Sequence, residues 1–139
     1  MRAILLVVFL AGCGSSGEDS PDNHGYGFAY DAQGASGLKL RYTPVLQPGD
    51  QYTDAAWYET EFENVKQCTG ISAPPPPFVI VLPEGALVNH IGYHYSDPSL
   101  IVVTNFYVLV AFRHEAIHYL LGYTGDSDPN HVSPLFTKC

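Results

Sequence analysis

Hydrophobic and polar positions along residues 28–139 predict a small domain of strands and helices. Residues 38–42 alternate apolar and basic side chains, a pattern typical of a strand with one face in solvent. The unbroken apolar runs at 78–82 and 100–103 are typical of buried strands. Residues 85–96, between these runs, predict a loop or a weak hairpin.

Two helices are predicted from apolar spacing and from end signals. The first follows a capping residue at 53–54, carries apolar residues at i, i+4 and i+7, and ends near Cys68, with Gly70 as its stop. The second follows a capping residue at 104–105 and continues to Leu121. Gly122 is its expected stop, because glycine is the usual residue just after a helix.

The order of these elements predicts the fold class. Strand, helix, strand, strand and helix are followed by residues 123–139, which have few apolar runs and predict an irregular tail. This order is typical of an α+β domain in which two helices pack on one small sheet. A length of 139 residues fits one such domain.

The charge balance excludes one class of partner. Six Lys and Arg residues stand against fourteen Asp and Glu residues, which gives a formal net charge of −8. A nucleic-acid site needs clustered cations on its surface, so this composition excludes nucleic-acid binding.

The N-terminal segment predicts export. One cation, Arg2, precedes an apolar run at 3–11 that is too short to span a bilayer and is typical of a secretory signal. The following Leu-Ala-Gly-Cys at 10–13 resembles a bacterial lipobox. The resemblance implies cleavage before Cys13, a lipid such as palmitate on that cysteine, and a membrane anchor in the cell envelope. An ordinary signal peptide or a buried N-terminal strand is the alternative.

The lipobox resemblance also sets the predicted domain boundaries. Residues 1–12 are the signal peptide, 13–27 a Gly/Ser/Asp-rich flexible tether, and 28–139 the folded domain. Gly14, not Asp, follows the cysteine, which for lipoproteins of this kind implies the outer membrane in a Gram-negative host.

The remaining cysteines, Cys68 and Cys139, form an even pair. In an exported protein such a pair predicts a disulfide, which would hold the C-terminus at the end of the first helix. Two free thiols or two metal ligands are the alternatives.

The second predicted helix carries the chemistry. His114 and His118 lie one helical turn apart on one face, so both imidazoles can reach one Zn²⁺. Glu115 lies about 100° around the helix, where its carboxylate can take a proton from a metal-bound water as general base. The alternative is that the three are ordinary surface or core residues of the helix. Burying them in an apolar helix without a metal or partners is costly, however.

The His-Glu-x-x-His motif, directly after the strand at 100–103, resembles the zincin metallopeptidases. The resemblance covers residues 78–131 and implies a minimal zincin-like domain, zinc as cofactor, and hydrolysis of a peptide or protein substrate along the edge of a cleft. The chain also resembles small exported bacterial lipoproteins with this motif and a late histidine near a C-terminal cysteine.

The third metal ligand departs from the familiar zincin patterns. Metzincins have Gly and His where this chain has Leu121 and Thr124, and gluzincins use a later Glu, which this chain lacks. The segment at 124–128 is similar to the aspartate segment of aspzincins, but scrambled. His131 is the expected ligand, since Gly and Pro residues allow the chain to turn back.

Other polar residues have alternative roles near this site. Asp126 or Asp128 could replace His131 as ligand, or could orient the helix histidines from outside the metal's ligand set. His90 and His94 are expected to line a loop at the cleft rim, with a second metal site as the less favoured alternative. Arg113 is expected in a surface ion pair.

Two functions follow from these residues. The first is a lipid-anchored, zinc-dependent hydrolase, and specifically a peptidase in which Glu115 is catalytic. The second is a non-catalytic surface lipoprotein in which a structural metal stabilises a binding module. A general base is needed only by the first.

Overall fold

The computed structural model describes residues 23–72, 74–95 and 99–139. The predicted signal peptide and the lipidation site at Cys13 lie outside these residues. The fold is α+β, and this prediction is confirmed: two helices pack on one small mixed sheet, with irregular terminal regions. No helix in the described part of the chain is both long and apolar enough to cross a membrane.

Five strands form the sheet. Along the chain they are β1 (Ala32–Gln33), β2 (Lys39–Arg41), β3 (Phe78–Leu82), β4 (Gly92–Tyr95) and β5 (Leu100–Thr104). Across the sheet the order is β1-β2-β3-β5-β4. The central pairs β2–β3 and β3–β5 are parallel, and the outer strands β1 and β4 are antiparallel to their neighbours.

Alternation along β3 and β5 divides the core between the two faces of the sheet, because successive strand residues point to opposite sides. On one face, alternate residues pack with the two long helices and form the larger of two hydrophobic clusters; they are Val79, Val81, Ile101 and Val103. On the other face, the intervening residues pack with Tyr26 and Leu87; they are Phe78, Ile80, Leu100 and Val102. Both faces are covered, which explains why the two runs lack polar positions.

Helix α1 (Ala55–Thr69) agrees with the sequence prediction at both ends. The Asp54 side chain accepts a hydrogen bond from the Ala56 N–H at 2.9 Å. At the other end Gly70 has a φ of 73°, and its N–H donates to the Lys66 carbonyl. A left-handed residue at this position favours glycine, since a side chain there is strained.

Helix α2 (Val108–Thr124) begins and ends later than predicted. Thr104 and Asn105 do not cap it, because the residue at the N-cap position is Tyr107. Thr104 is instead the last residue of β5, and the Asn105 N–H donates to the Leu82 carbonyl. Gly122 is inside the helix, and Gly125 ends it with N–H contacts to the Leu121 and Gly122 carbonyls.

Three further segments differ from the prediction. Residues 92–95, expected in a loop or weak hairpin, form β4 because they pair with β5. The irregular tail contains a short helix, α3 (Leu135–Lys138). Residues 23–27, assigned to the tether, pack on the domain: Asn23 is buried, its amide donates to the Gly27 carbonyl, and His24 stacks on Tyr95.

Candidate metal centre

Helix α2 brings the two motif histidines together. His114 and His118 are one turn apart, and their Nε2 atoms are 3.2 Å from each other. His118 is buried and His114 is half-buried. The predicted placement of the motif on one helix is therefore confirmed.

The segment after α2 adds a third imidazole. Nε2 of His131 lies 3.0 Å from Nε2 of His118 and 3.0 Å from Nε2 of His114. In a tetrahedral site with metal–nitrogen bonds of about 2.0–2.1 Å, two ligand nitrogens are about 3.3 Å apart. The three histidines match this spacing closely and could hold a metal ion. His131 is exposed, so the cluster opens to solvent on that side.

A backbone carbonyl fixes the orientation of the buried ligand. Nδ1 of His118 is 2.6 Å from the Ser127 carbonyl oxygen, which can only accept, so Nδ1 carries the proton. In the neutral ring Nε2 then has a free lone pair, and it points at the other two imidazoles. Such a contact on the far nitrogen is typical of metal-binding histidines.

Asp126 and Asp128 lie outside the cluster of potential ligands and instead shape the loop that carries His131. Oδ1 of Asp126 accepts from the Asp128 N–H at 2.8 Å. The Asp128 carboxylate accepts from the N–H groups of Val132 and Ser133, and its carbonyl accepts from the His131 N–H. The expectation that an aspartate replaces His131 is not supported by this geometry.

The backbone N–H groups of Ser133 and Val132 lower the pKa of the Asp128 carboxyl, because they favour its charged form. The loop therefore keeps its shape when Asp128 is ionised.

Helix α3 covers one side of the histidine cluster formed by His114, His118 and His131. The Phe136 ring centroid lies 4.5 Å from that of His118, 4.8 Å from that of His131 and 5.2 Å from that of His114. A disulfide joins Cys139, directly after α3, to Cys68 on α1. The cysteine pair expected from the sequence thus holds the aromatic ring against the three imidazoles.

Burial is the main reason that the pKa values of His114 and His118 are lowered from the ordinary histidine value. The loss of water around each ring disfavours its charged form. This outweighs the opposite effects of the Ser127 carbonyl on His118 and of the Glu115 carboxylate on both rings. Both rings are therefore held neutral near pH 7, which is the form that binds a metal.

The Glu115 side chain lies beside the cluster and is not part of it. Glu115 is a buried residue. Its Oε2 is 3.2 Å from Nδ1 of His94 on β4. Gly92, also on β4, adjoins its Cγ so closely that a Cβ there would be 2.6 Å away.

Strand β4 and α2 form two walls of a cleft of about 180 Å³ that opens to solvent. The β4 wall includes Gly92, Tyr93 and His94, and the histidine cluster and Glu115 line the other side. The cleft is smaller than the usual 300–1,000 Å³ of a drug-sized ligand site, so it accommodates a small part of a larger molecule.

The remaining sequence predictions concern His90, His94 and Arg113. His90 and His94 both line the cleft, as expected, but His94 lies on β4 rather than in a loop and contacts Glu115. Within the described ranges the two do not form a second group of metal ligands. Arg113 forms the predicted ion pair, 2.7 Å from Glu61. The contacts of Ser127 and Phe136 were missed: a backbone carbonyl has no sequence signal, and Phe136 lies in a tail without helical periodicity.

No family model matches this chain, and no curated protein and no solved structure matches it significantly. The function is therefore inferred from the chain's own residues.

Proposed function

We propose that this chain is an exported, lipid-anchored, zinc-dependent hydrolase of zincin type, and specifically a peptidase. The observation that carries the proposal is the cluster of three Nε2 atoms within 3.0–3.2 Å of one another, with a separate buried carboxylate beside it. Three protein ligands and an adjacent base are the parts of a catalytic metal site, whereas a structural site closes its fourth position.

Zinc is the metal that this ligand set favours. Three neutral imidazoles in a tetrahedral arrangement suit zinc, and the described residues place no carboxylate or thiolate in the set. When bound, zinc supplies a Lewis acid and lowers the pKa of a coordinated water towards 7.

The chain's own residues have distinct roles in this proposal. His114, His118 and His131 hold the ion, with His118 oriented by the Ser127 carbonyl. Glu115 accepts the proton of the attacking water and returns it to the leaving amine. The cleft holds the carbonyl group of the bond that is cut.

Strand β4 supports a peptide as substrate. It pairs with β5 on one side, and on its other side it is an edge strand of the described sheet. Its backbone can therefore pair with an extended peptide that passes over the cleft. Edge pairing also explains how a small cleft can act on a long molecule.

A structural metal is the second candidate, and one observation favours it. An ion on His131 and the two α2 histidines would tie the irregular segment 125–134 to the helix. In that case the chain would be a binding module on the cell surface, and Glu115 would have no role with the metal.

Metal content tests the metal site that both candidates share, when it is measured on the purified protein and three variants. We expect one zinc per chain in the wild type, in Glu115→Gln and in the matched control His90→Ala, which changes a cleft histidine outside the cluster. We expect a loss of zinc in His131→Ala. A folded wild-type protein that binds no zinc when zinc is supplied refutes the proposal.

A screen of a peptide library then separates catalysis from binding. Cleavage by the wild type that is lost in zinc-loaded Glu115→Gln supports the peptidase. The structural alternative is supported if zinc binds, no peptide is cleaved, and the wild type and Glu115→Gln have equal free energies of unfolding.

The anchor is a proposal from residues 1–13 alone. Labelled palmitate should enter the wild-type chain and not a Cys13→Ser variant, and the label should fractionate with membranes. Incorporation that is equal in both would contradict the lipidation site.

A further inference from the structure

We propose that His94 is a positioning residue for Glu115: it holds one carboxylate oxygen and thereby directs the other towards the histidine cluster. This inference rests on the proposed function, since it assigns the part that aims the general base. Nothing in the motif itself supplies this contact, because His94 lies 21 residues before Glu115 in the chain.

The contact has a defined direction. An ionised carboxylate can only accept hydrogen bonds, so Nδ1 of His94 is the donor and Oε2 of Glu115 the acceptor, at 3.2 Å. His94 thereby uses its Nδ1 proton on Oε2 and leaves Oε1 for a reacting group. The side chain of Glu115 is 8% exposed, so water cannot readily replace the imidazole.

Glycine on the same strand fixes the rest of the Glu115 side chain. A Cβ built on Gly92 would lie 2.6 Å from Cγ of Glu115 and 3.2 Å from its Oε1. The carboxylate arm therefore rests directly on the β4 backbone. With Gly92 against its Cγ and His94 on its Oε2, the side chain is held at two points.

Strand β4 is itself firmly held. The Ile91 carbonyl accepts from the N–H of Thr104 at 2.9 Å and from its hydroxyl at 3.3 Å. The His94 ring also stacks on the His118 ring, with centroids 5.1 Å apart and planes at 12°. The His94 donor is thus fixed relative to both β5 and the histidine cluster, as a supporting group for a reactive side chain must be.

Two amide substitutions test the donor position. In His94→Asn the side-chain amide nitrogen can occupy the place of Nδ1, whereas the longer side chain of His94→Gln places its amide near the position of Nε2. The full-length chain is loaded with cobalt(II), whose absorption reports ligand binding, and titrated with acetohydroxamate. This probe chelates the metal through its two oxygens and gives its hydroxyl proton to a neighbouring base.

We expect His94→Ala and His94→Gln to weaken acetohydroxamate binding by about 10–100-fold, the usual effect of losing a supporting contact at a metal site. His94→Asn should retain most of the affinity, and all three variants should keep one metal per chain. In a Glu115→Gln background, His94→Ala should have no further effect, because His94 acts through Glu115.

Three results would overturn the inference: equal affinities of His94→Asn and His94→Gln, an unchanged affinity in His94→Ala, or the same loss in both backgrounds. If the wild type binds no metal, the proposed function fails, but the contact is still testable in the metal-free chain. His94→Ala should then lower the unfolding midpoint in the wild type and not in Glu115→Ala, which removes the acceptor, and equal losses would refute the pairing.

Discussion

Gly92→Ala is the change that most directly tests the packing of Glu115 on β4. The added Cβ would lie 2.6 Å from Cγ of Glu115 and 3.0 Å from the Val102 carbonyl oxygen. Carbon atoms in contact prefer about 3.5–4.0 Å, so the first distance is short by about 1 Å. The Val102 carbonyl belongs to the backbone of β5 and cannot move, so the Glu115 side chain must shift.

The expected magnitude follows from these distances. Overpacking of a buried site costs about 1–3 kcal/mol, and replacing glycine by alanine returns about 0.4–1 kcal/mol by restricting the unfolded chain. Gly92 does not have a positive φ, so the backbone adds no strain. We expect a net loss of about 1–2 kcal/mol in the free energy of unfolding.

The assay is urea unfolding of the metal-free protein in a double-mutant cycle. Glu115→Ala removes Cγ and therefore most of the overlap, so Gly92→Ala should be nearly neutral in that background. In the wild type, the midpoint should fall by about 0.5–1 M for an m-value near 2 kcal/mol/M. Equal losses in both backgrounds, or no loss in either, would refute the reasoning.

Three further predictions concern the histidine cluster and the groups around it. Replacing Cys68 and Cys139 by serine opens a loop with a sequence separation of 71. We expect the free energy of unfolding in guanidinium to fall by about 4 kcal/mol, and a loss below about 1 kcal/mol would contradict this. Because burial lowers the folded-state pKa of His114 and His118, the unfolded chain binds more protons just below pH 6.5. Stability of the metal-free protein should be intact above that pH and should fall as the pH falls through the folded-state pKa values. Urea midpoints at several pH values should show a slope that flattens in His114→Asn/His118→Asn; an unchanged slope would be contrary evidence. Asp128→Ala should weaken zinc binding by about 10–100-fold, because the loop of His131 loses its backbone contacts. Asp128→Asn, which keeps an acceptor and tolerates the positive φ, should weaken it less, and calorimetry that finds both equal would exclude this role.

Helix ends and shared helix faces were predictable where the residues that form them are close together in the sequence. Asp54 and Gly70 define the ends of α1 by hydrogen bonds within one turn, and both were predicted. The spacing of His114 and His118 determines their shared face once the segment is helical. The start of α2 was not predictable in this way, because Thr104, the expected cap, is the last residue of β5 and hydrogen-bonds to Ile91.

The amino-acid sequence by itself determined which side chains were present for chemistry: two histidines and a glutamate on one helix, a late histidine, and a pair of cysteines. The tertiary structure decided how they meet. His131 reaches His118 across 13 residues only because the chain turns at Gly125 and Asp128, and His94 reaches Glu115 because β4 pairs with β5. Contacts of this kind depend on how the whole chain reverses and packs, and no local pattern of residues encodes that geometry.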